Sequence, residues 1–318
     1  MTTNPKYTPP PLLKPTPLRS GDTIAVISPA GPPDKKRFQA GLRELRRWGY
    51  EVATGKCADH KHAYFSGNDD ERLEDLIWAF SDPSIKAIIC SRGGYGSGRL
   101  LSRIPYDLVT ANPKFFVGFS DVTALSWAIF AKTGLITFSG PTIGEIGDGL
   151  PEIALRTFQA LVGPGKPPDP LWNESLQPLK PGSAAGPLFP GCLSMIVTLL
   201  GTPYMPDLSG AILLIEDVGE KPYRIDRMLT HLKNAGILEQ ISALLVGTMQ
   251  DCWPKKNRGH HLTLEEILLQ LTASHPIPIY TGFPYGHHPN RLTLPIGARA
   301  EISETGGLRL LEDPLNRS

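Results

Sequence analysis

Gly118-Phe119-Ser120-Asp121 stands where an apolar run, Phe115-Phe116-Val117, gives way to a helical pattern. A sharp strand-to-helix turn of this kind projects one side chain at the carboxyl end of a sheet, and glycine removes a Cβ that would clash in it. Ser120 can serve there as a nucleophile, with the Asp121 amide directed at a developing anion, or it can simply cap the helix. The fifth position of the usual elbow pattern, normally glycine, is Val122. A second stretch, Ser91-Arg92-Gly93-Gly94-Tyr95-Gly96-Ser97-Gly98, also follows an apolar strand. It lacks the Lys-Ser/Thr ending of a phosphate loop, so it can cradle phosphate weakly, aim a backbone N–H at an oxyanion, or only turn the chain through positive φ.

Two further stretches bring acid and base. Glu216-Asp217 closes the run Ala211-Ile212-Leu213-Leu214-Ile215, which places a carboxylate at a sheet's carboxyl end, suited to orient an imidazole or to face solvent. Gly286-His287-His288 lies in a Gly/Pro-rich loop, where a histidine can act as general base near neutral pH. Adjacent histidines rarely ligate one metal, and no third ligand accompanies them. His60, His62, His260 and His261 read as solvated loop residues, and His231, between Leu229 and Leu232, reads as packed. A serine on an elbow, a strand-end carboxylate and a loop histidine together point to Ser-His-Glu acyl transfer.

The elements that must position these groups are legible in outline. Thr23–Ser28, Ala87–Cys90, Phe115–Val117 and Ile136–Phe138 read as buried strands, alternating with helices capped by Asp34, by Asn68 or Asp69, and near Asp121. Alternation of this kind predicts βαβ units and a parallel sheet. Residues 162–190 hold eight prolines and little apolar periodicity, which predicts a linker or an excursion between domains. Beyond it, a helix over 192–200, strands at 211–215, 241–246 and 277–281, a helix from Pro222 to Asn234 and a terminal hairpin around Gly306-Gly307 predict a second α/β unit.

Composition narrows the function classes. Hydrophobic residues are 41% and charged residues 20%, as in a folded globular chain. Lys plus Arg number 32 and Asp plus Glu 31, a balance that argues against nucleic acid or an acidic membrane as partner. No apolar run reaches the roughly 18 residues that span a bilayer, and the proline-rich lead, residues 1–19, has no apolar core of a secretory signal. Four cysteines without paired spacing predict neither a disulfide framework nor a zinc site, and a cytoplasmic location follows as the default.

Six blocks, in order along the chain, resemble the L,D-carboxypeptidase family of serine peptidases, which also includes microcin C self-immunity peptidases. They are residues 19–32, Ser91–Gly96, Val117–Leu125, Leu214–Glu220, Pro222–Leu229, and Phe283–His287 with Leu294–Gly297 after it. The resemblance implies an α/β fold with a parallel-sheet N-terminal domain (1–162) and a smaller α/β C-terminal domain (191–318), joined by a Pro-rich linker (163–190). It implies Ser120 as nucleophile, His287 as base, Glu216 rather than Asp217 as the orienting carboxylate, and backbone amides of Asp121 and Gly94 as oxyanion hole. It also implies a homodimer without metal or cofactor that releases the terminal D-Ala of murein tetrapeptide in peptidoglycan recycling. Two alternatives stand beside that activity: a microcin C-type immunity hydrolase acting on a peptidyl or aminoacyl nucleotide, and a non-enzymatic phosphate-binding module. The family often has Asn where this chain has Cys192, and a thiol cannot replace an amide's hydrogen bonds. A terminal carboxylate would be read by the amides of the Gly-rich loop or by Arg92 beside it.

Overall fold

A computed structural model describes residues 10–174, 176–254 and 261–317; the first half of the proline-rich lead and His260 lie outside the described residues. Two sheets organise the chain. The first has six strands in the order β11-β5-β4-β3-β1-β2: β1 (Thr23–Ile27), β2 (Glu51–Thr54), β3 (Ile85–Cys90), β4 (Phe115–Gly118), β5 (Thr137–Ser139) and β11 (Leu294–Ile296). β1 to β5 pair in parallel, and β11 runs antiparallel on the edge against β5. The second has seven strands in the order β13-β12-β7-β8-β9-β10-β6: β6 (Gln177–Lys180), β7 (Ala184–Cys192), β8 (Ile212–Val218), β9 (Ala243–Gln250), β10 (Ile279–Thr281), β12 (Arg299–Ile302) and β13 (Leu308–Leu310). Its central strands β7 to β10 are parallel and its margins antiparallel. The α/β class with two units is as the sequence predicts.

Alternation along the strands shows why these segments pair. Ile24 and Val26 of β1 face one core with Phe38, Leu42 and Leu45 of the helix Lys35–Arg47. Ala25 and Ile27 face another with Leu73 and Leu76 of the helix Asp69–Ser81. A parallel strand covered by helices on both faces is apolar at every position, which is how these runs read. The caps act locally: Asp34 accepts from the Arg37 N–H at 3.0 Å, and Asn68 and Glu71 form a reciprocal capping box.

The helix Val122–Thr133 joins the two halves. It is buried nearly all round, because one side packs on the first sheet and the other meets the second. Trp127 packs edge-on against Phe189 of β7, ring centroids 5.4 Å apart, and its indole N–H donates to the Pro190 carbonyl at 3.0 Å. One apolar cluster therefore runs from β1 to β8.

Two expectations change. Residues 163–190 are not a bare linker, since β6 and most of β7 lie there and join the second sheet. The prolines hid them: Pro178 lies on an edge strand, where proline is tolerated, and Pro187 and Pro190 interrupt the apolar alternation of β7. Leu294–Ile296, in the C-terminal half, belongs to the first sheet, so the chain crosses back before its final hairpin. No helix among the described residues is long and apolar enough to cross a membrane.

Candidate active site

The first sheet has the order 2-1-3-4-5, and in such sheets ligands bind beyond the carboxyl ends of the strands. Ser120 follows β4, and the Gly-rich loop follows β3. Ser120 has φ +62°, a left-handed conformation that non-glycine residues adopt rarely and at a cost of about 1–3 kcal/mol. The surrounding glycines make room for it. A Cβ on Gly118 would lie 2.4 Å from Val122 Cγ1, and one on Gly93 would lie 2.7 Å from Ser120 Cβ. Val122 at the fifth position is thus accommodated by Gly118, and the elbow forms without the usual second glycine.

Asp121 ties the elbow to the Gly-rich loop. Its buried carboxylate accepts from the Gly96 N–H at 3.2 Å and the Ser97 N–H at 2.8 Å, while the Ser97 hydroxyl donates to the Asp121 carbonyl at 2.7 Å. Among the described residues, the N–H groups of Asp121 and Gly94 have no acceptor.

The second sheet brings the other two side chains. Glu216 does not end its strand: β8 continues to Val218, and Glu216 sits at a β-bulge where the pairing slips from Ile215↔Val246 to Asp217↔Met249. The two β9 residues opposite Glu216, Gly247 and Thr248, carry the His287 loop. Thr248 N–H donates to the Tyr285 carbonyl at 2.8 Å, and a Cβ on Gly286 would lie 2.2 Å from Thr248 Oγ1. With the loop pressed down in this way, the His287 Nδ1 lies 2.7 Å from Glu216 Oε2, the His287 main-chain N–H donates to the same oxygen at 3.2 Å, and Nε2 lies 3.1 Å from Ser120 Oγ.

Alternation separates the two acids of β8. Asp217 points to the other face, where Oδ2 accepts from the Ser194 N–H at 2.7 Å and anchors the start of the helix Leu193–Leu199. Glu216 is 0% exposed, and burial pushes its carboxyl up from the usual range, while the His287 hydrogen bond pulls the other way. Its Oε1 has no partner among the described residues. Cys192 lies beside Glu216 in register on β7; burial raises its thiol well above the ordinary range, against smaller opposing contributions from hydrogen bonds with the Ser194 hydroxyl, 3.3 Å from its Sγ, and the Met195 backbone.

Sequence reasoning missed a supporting group. Arg291, four residues past His287, is buried and lies over Phe119, with its guanidinium carbon 3.7 Å from the ring centroid, and the ring in turn packs on His287 at 4.8 Å. Its two terminal nitrogens grip Glu145, and Nη2 also donates to the Gly140 carbonyl at 3.2 Å. Burial alone would raise the Glu145 carboxyl, but the Arg291 charge and hydrogen bonds, with those from Thr142, hold it down to about 2. Glu145 could be read from Thr142-x-x-Glu145 as a capping box; nothing local marks Arg291 as its partner. Of the other histidines, His60, His62 and His261 are exposed as expected, His288 is exposed too, and His231 is exposed rather than packed, because Ile225, Leu229 and Leu232 take the buried stripe of its helix.

Comparison with known proteins agrees with this architecture. Residues 24–140 match the LD-carboxypeptidase N-terminal domain, and residues 185–302 match the LD-carboxypeptidase C-terminal domain. The chain is 39% identical to a probable murein peptide carboxypeptidase of Bacillus subtilis (strain 168), covering 94% of both chains. Among solved structures it resembles muramoyltetrapeptide carboxypeptidase from Oxalobacter formigenes (TM-score 0.79, 33% identity, covering 90% of this chain and 97% of that one). It also resembles the microcin C7 self-immunity protein MccF in complex with aspartyl sulfamoyl adenosine (TM-score 0.84, 30% identity, covering 96% and 100%). The chain belongs to the LD-carboxypeptidase family of peptidases.

Proposed function

We propose that the protein is a serine L,D-carboxypeptidase that removes the terminal D-Ala from murein tetrapeptide, with Ser120, His287 and Glu216 as its triad. The observation that carries this reading is the continuous relay from Ser120 Oγ through both ring nitrogens of His287 to a fully buried carboxylate. A carboxylate on Nδ1 selects the tautomer that keeps its proton there and turns the Nε2 lone pair toward Ser120. As Ser120 attacks the scissile carbonyl, Nε2 takes the hydroxyl proton, and the amides of Asp121 and Gly94 receive the oxyanion; one such donor is typically worth about 10²–10³ in rate. Nε2 then returns the proton to the departing D-alanine nitrogen. Water, deprotonated by the same nitrogen, hydrolyses the acyl-enzyme and frees the tripeptide.

The same reading extends to assembly and place: a homodimer acting in the cytoplasm on a small peptide, as the family resemblance implies. Sedimentation and cell fractionation measure both. A second reading, hydrolysis of an aminoacyl nucleotide by the same triad, is favoured by the likeness to MccF in complex with aspartyl sulfamoyl adenosine. Purified protein is to be offered murein tetrapeptide and an aminoacyl sulfamoyl adenosine in parallel. The carboxypeptidase reading expects D-alanine release from the first to dominate; efficient cleavage of the nucleotide alone selects the second.

A further inference from the structure

Two cavities meet at the relay. The larger, about 430 Å³, is lined by Ser120, Gly93, Gly94 and Arg92. The smaller, about 250 Å³, lies beyond His287 and is lined by Leu150, Ala154 and Asp148, without Ser120. Arg37, Glu145 and His287 line both. On the carboxypeptidase reading, on which this inference rests, the nucleophile and the amide donors fix the acyl portion in the larger cavity. The imidazole that protonates the leaving amine must touch the departing residue, which puts that residue on the His287 side, in the smaller cavity. A volume of 250 Å³ suits one small amino acid.

A residue that departs with a free carboxylate needs a cation there, and the two cavities together are lined by three arginines. Arg291 is committed, buried and bonded to Glu145 and Gly140. Arg92 lines only the larger cavity and donates to the Pro32 carbonyl at 3.0 Å. Arg37 remains. Its Nε donates to Asp148 Oδ1 at 2.8 Å and its Nη2 donates to Oδ2, a forked pairing in which the two side chains are 48% and 49% exposed. An exposed pair of this kind is weakly held, and a ligand carboxylate presents the same two oxygens to the same fork.

The backbone beneath Arg37 is fixed. The helices Lys35–Arg47 and Ile143–Asp148 touch through glycines, since a Cβ on Gly41 would lie 2.2 Å from the Ile143 carbonyl oxygen and one on Gly147 would lie 2.0 Å from that of Arg37. Only the side chain has freedom to turn. We propose that Arg37 reads the substrate's free terminal carboxylate in the smaller cavity, with Asp148 holding the guanidinium fork in the empty enzyme. Neither Arg92 nor the Gly-rich amides then carry this role, because both face the acyl portion.

The test compares a tetrapeptide ending in D-Ala with the same peptide amidated at its C-terminus, in wild type, Arg37→Met, Arg37→Lys and Arg92→Met. Wild type prefers the acid by about 10- to 100-fold in kcat/KM, the range for a charge-assisted pair. In Arg37→Met that preference falls to within a few-fold, with most of the loss in KM for the acid, and Arg37→Lys is intermediate because a point charge keeps attraction without the fork. An unchanged preference in folded Arg37→Met, or a collapse in Arg92→Met with Arg37→Met unaffected, overturns the proposal and leaves the carboxypeptidase reading intact. No D-alanine release from the acid by wild type sinks that reading instead. In that event, calorimetric binding of acetyl-D-alanine to wild type and to Arg37→Met decides the proposal separately: loss of binding in the variant supports it, and equal or no binding in both overturns it.

Discussion

Replacing Glu216 with Gln asks whether the buried carboxylate acts by its charge or only by its shape. The Oε2 position faces two donors, the His287 Nδ1 at 2.7 Å and the His287 main-chain N–H at 3.2 Å, so the Gln carbonyl must occupy it. The Gln NH2 then lies at the Oε1 position, which is buried and has no acceptor among the described residues, at a cost of about 1–3 kcal/mol in stability. The histidine tautomer survives; the negative charge opposite the imidazolium does not. At an effective dielectric of about 20 and a separation of about 4 Å that charge is worth about 4 kcal/mol, or about 10³ in kcat. If the amide flips instead, the tautomer is lost as well and the loss approaches about 10⁴. Asp217→Asn is the companion variant. It loosens the start of the helix Leu193–Leu199 by about 1 kcal/mol and leaves kcat within a few-fold. The assay is D-alanine release by both variants, alongside thermal unfolding to show that each is folded. A Glu216→Gln loss below tenfold, or a larger kcat loss in Asp217→Asn, refutes the reasoning.

Three further outcomes follow from the geometry. Ser120→Gly relieves the φ of +62° and abolishes hydrolysis while stability holds or rises by up to about 1 kcal/mol, whereas Ser120→Val, β-branched in the same conformation, unfolds at lower temperature; calorimetry ranks the pair. Gly93→Ala places a Cβ 2.7 Å from Ser120 Cβ and 3.0 Å from the Phe119 carbonyl oxygen, so kcat/KM falls about 100-fold, while Gly98→Ala, whose Cβ meets nothing within 4 Å, is silent in the same assay. Glu145 has its carboxyl lowered from 4.5 to about 2, so its contribution to stability is full above pH 4.5 and is lost as pH falls through 2; the Tm gap between wild type and Glu145→Gln is therefore constant from pH 5 to 7 and closes toward pH 2.

Much of this site can be read from residues alone, for reasons particular to each part. The β4 elbow shows because an apolar strand, a glycine and a helix start are all local signals, and Asp34 and Asn68 announce their helices in the same way. The approach of Ser120, Glu216 and His287 is not local: it depends on the helix Val122–Thr133 lying between two sheets and on a bulge opposite Glu216. Resemblance to a family links those residues; periodicity does not. Strands β6 and β7 are obscured by prolines that an edge position and neighbouring sheet partners tolerate. Arg291 and Glu145 are invisible as a pair because 146 residues separate them, and only the fold brings guanidinium and carboxylate together beneath the base.

The central claim is that Ser120 is the nucleophile activated by His287. Its most direct test is peptide mapping by mass spectrometry after treatment with a serine-directed phosphonate. The account predicts one covalent adduct, on Ser120, formed with loss of D-alanine-releasing activity and slowed at least 100-fold in His287→Ala. An adduct on a different serine, or hydrolysis that persists in Ser120→Ala, would contradict it.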